Sequence, residues 1–72
     1  MGKIMQYSNI RARLAARADV LVTLWKAEDF KGFSESLKES KLSEQMVLIA
    51  SVNERLDMVN KDLLIDWLLA NY

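Results

Sequence analysis

The 72-residue chain has no cysteine, no histidine and no proline, and only two glycines, Gly2 and Gly32. Without cysteine there is no disulfide framework and no thiolate metal site, and an intracellular, cytoplasmic home is expected. Without histidine the usual base for a hydrolytic nucleophile is missing, so the expectation is a non-enzymatic protein with no metal and no cofactor. Strands and tight hairpins need glycine and proline punctuation, and its scarcity points to helix throughout. Long apolar runs are lacking too. The longest, Met46 to Ala50, is far short of the about 20 residues that cross a bilayer, and the N-terminus lacks the apolar segment of a signal peptide.

Apolar residues make up 51% of the chain. A chain of this length buries only about 60% of its unfolded surface, so the core is thin and docking on a partner is a natural source of extra stability. Net charge is zero but unevenly spread. Residues 1–26 carry Lys3, Arg11, Arg13, Arg17 and Lys26 against Asp19 alone, a net of +4, and residues 27–72 carry −4. A bipolar molecule suits a protein partner, or another copy, better than a nucleic-acid groove.

Read along the chain, residues 1–7 form a leader and residues 8–72 one all-α domain. About four helices are expected, in two antiparallel pairs, as a bundle or a short solenoid-like stack. Ser8 or Asn9 can cap the first helix, which runs to about Lys26 with Ile10, Leu14, Leu21 and Leu24 as one stripe and Ala15, Ala18, Val22 and Trp25 as another. Glu28 and Asp29 suit the start of a second helix. Phe30, Phe33 and Leu37 follow at i, i+3 and i+7. Gly32 in that helix costs roughly 1 kcal/mol unless a close neighbour needs the space. Trp25, Phe30 and Phe33 then meet at a corner, packed on one another and the core, and any ring left exposed becomes a binding anchor.

Ser40 or Ser43 is the expected cap of a third helix over roughly residues 43–56. Leu42, Ile49, Leu56 and Leu63 recur at heptad spacing with Val52 and Val59 between them. Asn60 is the expected cap of a last helix, in which "LLIDWLL" is apolar nearly all round. Such a helix is either sandwiched or sticky, which predicts a homodimer or heterodimer with Trp67 or Leu68 near the contact. Asp62 and Asp66, one turn apart, read as a solvated face rather than a metal pair. Arg13 and Arg17 read as the mate of an acidic protein surface. The alternative is a small nucleic-acid-binding or inhibitory protein acting through the basic first helix, and three arginines with no interleaved aromatic argue against the nucleic-acid version.

One further pattern is present. Asp19 stands six residues before Trp25, and Asp29, Phe30 and Lys31 follow. Val52 and Asn53 close an apolar helix, and Asp62 and Leu63 open a leucine-rich one. With "VLVTLWKAEDFKG" at its head, this order resembles the conserved C-terminal helical domain of the regulatory, non-catalytic subunit of katanin, the microtubule-severing complex. The resemblance spans Arg17 to Leu69. It implies a solenoid-like helical adaptor that binds the N-terminal helical bundle of the severing ATPase and helps it reach microtubules.

Overall fold

The computed structural model describes the backbone of residues 2–72 and the side chains of residues 10–72. It is all-α, with four helices: α1 (Gly2–Lys26), α2 (Phe30–Lys38), α3 (Leu42–Glu54) and α4 (Met58–Asn71). Each connector is only three residues long, so successive helices must reverse direction. Arg17 of α1 reaches Ser36 near the end of α2, which makes that pair antiparallel. Arg13 meets Glu44 and Asp19 meets Arg55, so α3 runs parallel to α1. Tyr72, at the end of α4, meets Gln45 at the start of α3, which makes the second pair antiparallel. At 1.5 Å per residue the 25-residue α1 is about 37 Å long and accounts for most of the 42 Å longest dimension.

The α1–α2 turn is closed from both sides. Asp29 N–H donates to Leu24 O and Glu28 N–H to Trp25 O, each at 3.0 Å, and Glu28 sits at φ 61°. This is a Schellman closure with a glutamate where glycine is usual. Asp29 then caps α2 by accepting from the Gly32 N–H at 3.0 Å. A Cβ on Gly32 would stand 2.5 Å from Asp29 Oδ2, so the close neighbour that the glycine serves is the capping carboxylate.

The other expected caps fall elsewhere. α1 runs continuously through Ser8 and Asn9. α3 starts at Leu42 behind an extended Lys41 with no side-chain cap. Neither Ser40 nor Ser43 fills that role; the Ser40 carbonyl instead accepts from Gln45 Nε2 at 2.7 Å. Asp57 rather than Asn60 caps α4, accepting from the Asn60 N–H at 2.9 Å. An aspartate immediately ahead of an apolar helix takes the cap, and asparagine three residues on is left inside the first turn.

The core is drawn from all four helices: Ala18, Leu21 and Trp25 of α1; Phe33 and Leu37 of α2; Leu48, Ile49 and Val52 of α3; Leu64 of α4, with Leu56 in the last turn. Only the middle of the heptad series is buried, at Ile49, Val52 and Leu56; Leu42, Val59 and Leu63 are exposed. The series crosses a helix break at residues 55–57, and a seam cannot keep its register through a turn.

Candidate functional site

The aromatic corner is part of the core. Trp25 packs edge-to-face on Phe30, Phe33 and Trp67, with centroids 4.9, 5.1 and 6.3 Å away, and Phe33 meets Trp67 at 5.1 Å. Such edge contacts place a ring's positive rim on a neighbour's negative face, each adding about 0.5–1.5 kcal/mol beyond burial. The Trp25 indole N–H donates to Asn60 Oδ1 at 3.2 Å, while Asn60 Nδ2 donates to the capping carboxylate of Asp57 at 3.0 Å. Asn60 therefore links the cap of α4 to the centre of the corner. Trp25 and Phe33 are buried and present no ring to a partner. Of the three, Phe30 alone stands outside, 41% exposed.

Trp67 and Leu68 are half-buried against the same core. The exposed apolar surface of α4 lies on its other sides. Met58, Ile65 and Leu69 are 73%, 51% and 79% exposed, and their i, i+7, i+11 spacing puts them in one strip. Val59 and Leu63, also exposed, form a second. Asp62 and Asp66 stand between the two, opposite the buried Leu64. On α3, Leu42 and Met46 are 65% and 60% exposed. They adjoin the Gln45–Ile49 strip that turns toward α4, and Ile65 and Leu69 adjoin the Leu64–Leu68 strip of α4 that is packed inward. By helix position, both exposed strips lie toward the side on which Tyr72 meets Gln45. There Tyr72 O–H donates to Gln45 Oε1 at 2.5 Å. Gln45, a buried polar residue that periodicity could not single out, thus receives α4 with one amide atom and holds the α2–α3 turn with the other. Burial pushes the Tyr72 phenol above its ordinary value of 10.0.

Arg13 and Arg17 of α1 lie on a different side, in a cleft of about 340 Å³ with Glu39, Ser40, Lys41 and Glu44. Arg17 is half-buried. Its Nη2 donates to Ser36 O at 2.8 Å and pairs loosely with Glu39 at 3.8 Å. Arg13 pairs with Glu44 at 3.7 Å. The acidic surface that these arginines meet includes the protein's own Glu39, just after α2, and Glu44 of α3.

Among the described residues no group of three or more aspartate, glutamate, cysteine or histidine side chains could hold a metal ion, and no helix is long and apolar enough to cross a membrane. No family model, no curated protein and no solved structure matches this chain.

Proposed function

We propose that this chain is a non-catalytic helical protein-binding module whose working surface is the outer apolar face shared by α3 and α4. The observation that carries the reading is the exposure of Leu42 and Met46 on α3 and of Ile65 and Leu69 on α4, toward the side on which Tyr72 meets Gln45. Soluble monomers seldom leave more than a few hundred Å² of contiguous apolar surface open to water. Covering it recovers roughly 25 cal/mol for each Å² removed from solvent, less the entropy of association. Of the two dimers expected for this helix, the face favours the one with a different partner: a two-fold contact between copies would bring Asp62 and Asp66 toward their own counterparts. A reading through the basic first helix is supported less, because Arg13 and Arg17 already have acidic neighbours within the chain.

The resemblance between Arg17 and Leu69 supplies a candidate partner, the N-terminal helical bundle of a microtubule-severing ATPase. Isothermal titration of that bundle into the purified chain should give a dissociation constant in the micromolar range, about that of a small interface. Ile65→Asp with Leu69→Asp should remove the heat of binding and leave the helical circular dichroism unchanged. Silence from the wild-type chain at about 100 µM, a hundredfold above micromolar binding, would sink the katanin-like assignment.

A further inference from the structure

The charges along the α4 side of this face specify what should lie on it. Glu44 faces α1, where it pairs with Arg13, and Arg55 faces α1, where it pairs with Asp19. Asp57 is engaged as the cap of α4. The carboxylates that remain on the outward side of α4 are Asp62 and Asp66, both exposed and neither in an ion pair among the described residues. The cation of the same helix, Lys61, is half-buried and lies one position round toward the bundle. The α4 wall therefore carries an apolar strip, Met58, Ile65 and Leu69, edged along its outer border by negative charge.

From this we propose that the occupant of the α3–α4 face is a basic amphipathic helix. It would lay apolar side chains at i, i+3 or i+4, and i+7 along the joint, and direct lysines or arginines at Asp62 and Asp66. A helix-in-groove contact reads apolar anchors for affinity, and complementary flanking charge selects among helices that share the same anchors. An acidic amphipathic helix would meet the same apolar strip but bring like charges together. The inference rests on the reading of this face as a binding surface, and the test separates the two.

Two synthetic helical peptides of about five turns, enough for isolated helicity, would share one apolar stripe and differ only in flanks, lysine in one and glutamate in the other. Each is titrated into the full chain and followed by tryptophan fluorescence and calorimetry. The lysine peptide should bind at least about ten-fold more tightly, with an advantage that shrinks as salt rises. Asp62→Lys with Asp66→Lys should reverse the preference. Ile65→Asp with Leu69→Asp should abolish binding of both peptides while circular dichroism stays helical. Equal affinities, or no reversal in the double lysine variant, would overturn the charge inference and leave the apolar surface standing. Failure of both peptides to bind would remove the binding surface itself. Self-association that Leu69→Asp disrupts, seen by sedimentation of the chain alone, would assign the face to a second copy and also overturn the inference.

Discussion

Two stretches of this chain carry large apolar side chains, and they end in opposite places. Trp25, Phe30 and Phe33 lie where three helices converge; Trp25 and Phe33 are closed off from water, and the corner has four edge-to-face ring contacts when Trp67 is counted. Leu63 to Leu69 lies on the last helix, which has neighbours on one side only. Leu64 is fully buried and Trp67 and Leu68 are half-buried, but Leu63, Ile65 and Leu69 are left in water. Burial depends on how many elements surround a side chain. The other three helices described are too few to surround α4, which is apolar on most of its sides.

The sharpest way to break this contrast is truncation. Phe33→Ala removes a ring with no solvent exposure and should cost about 3–5 kcal/mol, a large fraction of the stability of a small domain. Urea unfolding should show the midpoint collapsing. A loss below about 1 kcal/mol would mean that the corner is not the core.

Asn60→Ala tests the link between the two regions. It leaves the indole N–H of Trp25 without its acceptor and removes a donor to Asp57, so a loss of about 1–2 kcal/mol is expected. Trp25 fluorescence should shift to the red as α4 loosens. An unchanged spectrum would show that the cap of α4 and the corner are independent.

Glu28→Gly acts in the other direction. Glu28 holds φ 61°, a conformation that strains an L side chain and that glycine adopts freely. The variant should gain about 0.5–1 kcal/mol, visible as a higher thermal midpoint. Gly32→Ala, four residues on, should destabilise despite alanine's better helix propensity, because its methyl would strike the Asp29 cap.

Acid should weaken the α3–α4 turn. The Asp57 carboxylate is held below its ordinary 3.8 by the backbone N–H of Asn60 and then by the Asn60 side chain; Lys26 assists and desolvation opposes. A carboxylate whose folded value is depressed supports the fold above its unfolded value, and that support is lost as pH falls through the folded value. Asp57→Asn should therefore melt below the parent at neutral pH, and the gap should narrow as pH falls below the ordinary carboxylate range and the parent's own carboxylate is protonated. A gap of constant width would mean that the charge on Asp57 contributes nothing.

The smallest effect is expected on the exposed side. Leu69→Lys, at a position 79% exposed, should change stability by no more than about 0.5 kcal/mol. A loss as large as that of Phe33→Ala would show that Leu69 is covered in solution.

How much was legible in the sequence differs between these regions. The first two helices, their boundary near Lys26, the acidic start of α2 at Glu28 and Asp29 and the meeting of Trp25, Phe30 and Phe33 all follow from period and local chemistry. The role of Asn60 does not, because asparagine near a helix start reads as a cap and its partner Trp25 lies 35 residues away. Gln45 gave no signal at all. It looks like any surface residue of an apolar helix, and only the return of the chain at Tyr72 gives it a partner. Arg13 and Arg17 read as a surface waiting for acid, and the acid that meets them, Glu44 and Glu39, comes from the same chain.

The sequence alone was enough to show that this protein is helical, with about four helices and a first break just after Lys26. Those outcomes rest on interactions within a few residues: an apolar period near 3.6, a carboxylate ahead of an orphan N–H, the absence of proline. The tertiary structure decided which faces of α3 and α4 are wet. A helix apolar on several sides has no single preferred orientation of its own; α3 and α4 are turned by their neighbours, through Glu44 and Arg55 toward α1 and through Trp67 and Tyr72 toward the rest of the bundle. What those contacts leave exposed includes Leu42 and Met46 on α3 and Ile65 and Leu69 on α4.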